Sequence, residues 1–211
     1  MSITRVSFPA AEILLEGMLH LADISAPTPG VVVCHPHPLY GGNMQNLVVA
    51  EICRCLNEKG MAALRFNFRG TGASQGRHGE GVSEREDVVG ALSYLASVQG
   101  VDPNRLGLAG YSFGAYVALA AGADDPRAKA LCGLAPPVAH MDLSFLAGST
   151  KPKFFIFGSR DDITPLEPFL GVYKQLPGDK SYEVVQGADH FLFGYEERVA
   201  EAVASYFAQV L

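Results

Sequence analysis

The stretch Arg105-Leu106-Gly107-Leu108-Ala109-Gly110-Tyr111-Ser112-Phe113-Gly114 decides the fold. Residues 105–109 read as a buried strand, and the apolar run from Phe113 to Ala121 reads as a helix. Between them stands G-x-S-x-G, which carries little information alone because glycine and serine are common. The context of strand, sharp turn and helix is what gives it meaning. Such a turn forces the serine into a strained backbone, and neighbours without side chains let strand and helix approach. The hydroxyl then stands clear at the end of the sheet, with the positive helix start behind it.

Working outward, strands and helices alternate. Short strands are expected at residues 5–8 and 16–21. A third, at 30–34, is an almost unbroken β-branched run, the mark of a strand covered on both faces. A helix follows at 46–59, ended by Gly60, and then a strand at 62–67. A second helix is expected at 83–98, with Ser83 and Glu86 as a capping box. Strands at 128–133, 153–158 and 181–185 alternate with helices at 166–174 and 196–210. This pattern predicts right-handed βαβ units in a three-layer α/β/α sandwich with a mainly parallel sheet. Ligands of such sheets bind beyond the C-terminal strand ends.

The chain has 211 residues, 48% of them hydrophobic and 18% charged. That suits one core and a single domain over 1–211. A net charge of −6 with scattered Lys and Arg excludes a nucleic-acid footprint. No apolar run is long enough to predict a membrane span. Residues 1–5 are polar and show no signal-peptide pattern, so a cytoplasmic location is expected. Cys34, Cys53, Cys55 and Cys132 lack metal-ligand or redox spacing and read as free thiols.

A serine hydroxyl needs a base, and the base needs a third group to fix its tautomer. Of six histidines, His190 is placed for this, in the loop after the last strand and on the same sheet edge as Ser112. His20 and His140 read as surface or packing residues, and His78 lies in a polar loop expected to be exposed. The loop after strand 153–158 offers two acids, Asp161 and Asp162. Either reaches toward the histidine, in the order serine, acid, histidine.

Acyl transfer also needs donors for an oxyanion. One is the backbone N–H of Phe113. The second belongs to His35-Pro36-His37-Pro38-Leu39-Tyr40-Gly41-Gly42. Pro36 and Pro38 have no N–H, leaving His37, Leu39 and Tyr40, with His37 favoured. Two histidines without a spaced third ligand do not make a metal site, and no cofactor is expected. The His35 imidazole is expected to fix the loop by hydrogen bonding. Gly70-Thr71-Gly72 lacks the G-x-G-x-x-G spacing and reads as structural support.

Together these segments resemble the α/β-hydrolase superfamily along the whole chain. The nearer resemblance is to small, lidless bacterial hydrolases related to dienelactone hydrolase and to the prolyl oligopeptidase catalytic domain. It is carried by residues 35–42, Asn67-Phe68-Arg69-Gly70-Thr71-Gly72-Ala73-Ser74 and residues 110–114. The resemblance implies that Asp161 is the acid, within a G-x-x-D-x-x-x-P turn from Gly158 to Pro165. It departs at the nucleophile, a cysteine in dienelactone hydrolase and Ser112 here. The short segment between the strands at 128 and 153 leaves no room for a helical lid.

The expected activity is hydrolysis of small carboxylic esters through an acyl-enzyme on Ser112, with His190 as base and Asp161 as orienting acid. Thioesterase, peptidase or acyltransferase chemistry would use the same groups, and a binding protein on this fold is the alternative of another class. By loop position, Tyr40, Tyr111 and Phe191 are candidate substrate contacts, as are Arg160 and Ile163. The expected partner is a small ester molecule, with no nucleic acid and no membrane. The oligomeric state stays open.

Overall fold

A computed structural model describes residues 2–22 and 27–211. Met1, part of the polar stretch 1–5, lies outside the described residues. The elements run β1 (Ser2–Ala10), β2 (Ile13–Leu21), β3 (Thr28–Cys34), α1 (Leu47–Glu58), β4 (Ala62–Phe66) and α2 (Glu84–Ser97). They continue with β5 (Val101–Tyr111), α3 (Phe113–Asp124), β6 (Ala128–Leu134), β7 (Lys153–Gly158), α4 (Leu166–Gln175), β8 (Lys180–Val185) and α5 (Glu196–Val210).

The eight strands form one sheet in the order β1-β2-β4-β3-β5-β6-β7-β8. β1 and β2 pair antiparallel, β2 meets β4 antiparallel, and the rest is parallel. The β1–β2 hairpin is longer than its apolar signal, because the first residues of the outer strand are exposed on both faces and alternation begins only at Val6.

Strand periodicity divides the core into two layers. Val32 and Cys34 of β3 face one way, joining Val88, Leu92 and Leu95 of α2, Val117 of α3 and Phe169 of α4. Val31 and Val33 face the other, against Ile52 and Leu56 of α1 and Val203 and Phe207 of α5. α1 starts at Asn46, whose side chain accepts from the Val49 N–H at 3.3 Å, and Gly60 at φ 80° follows its end. α5 seats closely because Gly107 of β5 has no side chain. A Cβ there would lie 2.4 Å from the Phe207 ring.

The capping box expected at Ser83 does not form. Ser83 already has helical backbone angles and its side chain makes no cap bond. Glu84 takes over instead, its buried carboxylate accepting from the N–H groups of Gly79 and Gly81 at 2.7 and 2.8 Å. Glu86 turns to Arg69.

The sheet reverses direction of growth at β3, with β4 on one side and β5 on the other. Such a switch point opens a crevice at the C-terminal strand ends. Here β3 runs into the loop at 35–46 and β5 into Ser112. The β5–α3 turn depends on two missing side chains. A Cβ on Gly110 would lie 2.1 Å from the Gly114 carbonyl oxygen, and one on Gly114 would lie 2.3 Å from that of His35. Gly110→Ala is therefore expected to lower the melting temperature by at least about 5 °C, since the clash is with backbone that cannot rotate away. Gly148→Ala, at an open position with nothing within 4 Å, should leave it nearly unchanged. Thermal denaturation of both variants checks this.

Candidate active site

Ser112 adopts φ 54° and ψ −119°, a conformation costly for a residue with a side chain. It is held there from both sides. Its N–H donates to the Leu134 carbonyl at 2.8 Å, continuing the ladder to β6, and its own carbonyl accepts from Ala115 and Tyr116 as α3 begins. The hydroxyl projects toward the β8–α5 loop. There Ser112 Oγ lies 3.0 Å from His190 Nε2. His190 Nδ1 lies 2.9 Å from Asp161 Oδ2.

Thr164 completes the acid's surroundings. Its hydroxyl donates to Asp161 Oδ2 at 2.6 Å and its N–H to Oδ1 at 2.7 Å, with the Ile163 N–H adding a third bond at 3.0 Å. Burial pushes the Asp161 carboxyl up, but the bonds from His190 and Thr164 outweigh burial and hold it below the usual carboxylate range. A buried carboxylate so supplied stays charged and fixes the His190 Nδ1 proton toward itself, which leaves Nε2 free to accept from Ser112. Asp162 is exposed and outside this set.

Tyr111 is nearly fully buried, and its hydroxyl donates to the His190 carbonyl at 2.5 Å. It thus holds the histidine's backbone from below, and burial first, then the Asp161 charge, raises its own pKa. Tyr40 and Phe191 stand exposed at the rim of a cleft of about 890 Å³. Its lining includes His37, Tyr111, Ser112, Phe113, Ile163 and His190, together with Pro137, His140 and Met141 from the β6–β7 connection. Arg160 is not among the lining residues.

The loop after β3 explains which N–H groups remain available. The Leu39 N–H is taken by His37 Nδ1 at 3.2 Å, and the Tyr40 N–H by the His37 carbonyl at 3.1 Å. Among the described residues, the N–H groups of His37 and Phe113 have no protein acceptor. Both residues border the cleft, and their rings pack 4.6 Å apart. His35 fixes the loop from beneath. Its Nε2 accepts the Phe68 N–H at 3.1 Å, so the proton sits on Nδ1, which donates to the Pro36 carbonyl at 2.6 Å. Asn67 ties the same loop to the sheet, accepting from Met44 N–H at 2.8 Å and donating to Glu16 at 2.7 Å. Residues 67–74 are thus structural, with Arg69 making three hydrogen bonds to buried Asp87.

One histidine departs from expectation. His78 is half-buried: its ring packs at a tilt, 5.0 Å from His37 and 5.5 Å from Phe113. Its Nδ1 is 2.9 Å from Glu84 Oε1, close enough for an ion pair but not aligned for a hydrogen bond. Polar, glycine-rich loops carry no periodicity from which burial can be read, so the sequence held no signal for this. His140 lines the cleft mouth. His20 is a packing residue, as expected, accepting from Arg65 Nε at 3.1 Å. All four cysteines are buried and unpaired. Among the described residues no cluster of three His, Cys, Asp or Glu is placed to hold a metal, and no helix is long and apolar enough to cross a membrane.

The profile of the FrsA-like esterase family matches residues 1–160, ending just before Asp161. An uncharacterized protein of Rickettsia prowazekii (strain Madrid E) is 34% identical over 98% of this chain and 89% of its own. Among solved structures, an α/β serine hydrolase homologue from Coxiella burnetii is 31% identical, covers 98% of both chains and superposes with a TM-score of 0.86. An α/β serine hydrolase from Xanthomonas campestris, described as lacking a lid, is 26% identical with a TM-score of 0.87, over 99% of this chain and 94% of that one. The architecture is that of the lidless α/β-hydrolases.

Burial lowers the His35 pKa from 6.5 to about 4. The folded state therefore binds fewer protons than the unfolded one between these values, and stability falls as pH drops through this window. His35 alone should remove roughly 2–3 kcal/mol between pH 7 and pH 4.5. Urea unfolding at the two pH values measures the loss, and His35→Gln should shrink it.

Proposed function

The chain belongs to the FrsA-like esterase family of α/β serine hydrolases, and on that premise we propose that it cleaves small carboxylic esters through an acyl-enzyme on Ser112. The observation that carries the reading is the relay Ser112 Oγ, His190 Nε2, His190 Nδ1, Asp161 Oδ2, with its two gaps of 3.0 and 2.9 Å. Both lie within the reach a general base and its orienting acid need.

In the proposed reaction Ser112 Oγ attacks the ester carbonyl carbon as its proton passes to His190 Nε2. The carbonyl oxygen becomes an oxyanion facing the N–H groups of His37 and Phe113, which are already oriented and unspent. His190 hands the proton to the alkoxy oxygen. The alcohol leaves, and the acyl group remains on Ser112. A water then gives its proton to His190 and attacks the acyl carbon. Collapse of the second tetrahedral intermediate returns the proton to Ser112 Oγ and frees the acid. Asp161 stays charged and stabilises the imidazolium formed at each stage. Every step uses groups of this chain.

Ser112→Ala should reduce p-nitrophenyl acetate turnover to background, and a fluorophosphonate should add its mass less HF to the unmodified chain, fluoride leaving as Ser112 Oγ bonds phosphorus, and not to the variant. Full activity in Ser112→Ala would sink the assignment. Asp161→Asn should lower kcat about 10⁴-fold, because the amide favours the wrong imidazole tautomer. Thr164→Val, which loses one hydrogen bond to the acid, should cost far less than Asp161→Asn in the same steady-state assay.

A further inference from the structure

The leaving alcohol oxygen must come within hydrogen-bond reach of His190 Nε2, since that atom delivers its proton. Two apolar side chains of the cleft wall belong to the loops that hold the base and its acid. Phe191 follows His190 directly, with ring centroids 5.9 Å apart and edge to face. Ile163 stands two residues beyond Asp161. Both line the cleft, and both are exposed, Phe191 to 53% and Ile163 to 46%.

The turn at 190–194 is shaped to keep Phe191 out. Leu192 has φ 57°, a conformation costly for a leucine, and is buried to 1% exposure. Anchoring Leu192 inward throws its two neighbours outward. Phe193, exposed as well, stacks on Phe191 at 5.8 Å with the planes 20° apart, which supports the first ring on its far side. A fold that only minimised exposed apolar area would place these rings inside. Charge narrows the occupant further. Among the described residues, no Asp, Glu, Lys or Arg lines the cleft. Of the acids on these loops, Asp161 is buried and taken up by His190, Ile163 and Thr164, Asp162 and Asp189 are exposed off the lining, and Asp189 is occupied by the Phe191 N–H at 2.9 Å. A charged alcohol would lose hydration here without gaining a counter-ion.

We propose that Phe191, with Ile163 beside it, forms the leaving-alcohol subsite, and that the chain selects esters of neutral, apolar alcohols. The inference rests on the assignment of Ser112 and His190 under the proposed function. Its test follows released acid by pH-stat titration over two ester series, one varying the alcohol on a constant acetyl group and one varying the acyl group on methanol. Unmodified protein should prefer benzyl acetate to methyl acetate in kcat/KM, and 3,3-dimethylbutyl acetate to its charged isostere acetylcholine. Phe191→Ala should lower the benzyl-to-methyl ratio about tenfold, Phe191→Leu should lower it less, and neither should shift the preference between methyl acetate and methyl butyrate. A ratio unmoved by Phe191→Ala, or a preference for acetylcholine, overturns the proposal. So does a dimer in sedimentation that Phe191→Ala dissolves while alcohol selectivity is kept, which would assign the rings to a second copy of the chain. If esters are cleaved and Ser112 is labelled without alcohol selectivity, this inference alone fails. If no ester is cleaved and no fluorophosphonate attaches, the catalytic assignment fails and takes the subsite with it.

Discussion

Everything at the cleft depends on the absence of side chains at Gly110 and Gly114. Their backbones approach so closely that a single added carbon at either position meets a carbonyl oxygen at 2.1 or 2.3 Å. That closeness lets β5 turn directly into α3, and the direct turn leaves Ser112 no backbone conformation but a strained one. The strain is local, while its support is distributed: a strand ladder on the Leu134 side, the first turn of α3 on the other, and the β3 loop pressed against Gly114. The serine's position, the approach of the helix start and the seating of the 35–46 loop are three results of one steric fact.

Around this turn the polar groups are arranged so that each donor has one destination. Leu39 and Tyr40 spend their N–H groups inside their own loop, Phe68 spends its on His35, and Thr164 spends both of its on Asp161. What remains unspent faces the cleft. The same economy fixes tautomers: His35 carries its proton on Nδ1 because Nε2 is already an acceptor, and Asp161 draws the His190 proton to Nδ1. Asp161 can remain charged at low exposure only because Thr164 and His190 together offset the desolvation.

Legibility in the sequence followed the physics of burial. Strands covered on both faces, such as β3 and β7, announce themselves as apolar runs, and α5 was readable to the residue from its stripe. The start of β1 is silent in the sequence because residues 2–5 are exposed on both faces and are held by pairing to β2 alone. The β5–α3 turn was readable because its chemistry requires particular residues at fixed spacing. The Ser83 cap was misjudged, since a motif of two residues does not show that a neighbour, Glu84, binds the loop more tightly. Prolines narrowed the donors of the 35–42 loop to three. Narrowing them to one needed the turn geometry, which no periodicity encodes. Thr164 left a faint signal, a hydroxyl three residues past an aspartate, and His78 left none.

The glycine at 107 bears on how this chain comes into being. It gives the Phe207 ring its seat on the central strand, so the face of β5 that carries it is sealed by α5, which is made after the other described helices. Until α5 is made, the face carrying Val31, Val33 and Ala109 has only α1 over it, while the opposite face has α2 and α3 in place and is completed by α4. The two layers of the core thus differ in age. The younger one is where a nascent chain is open to aggregation or to a chaperone.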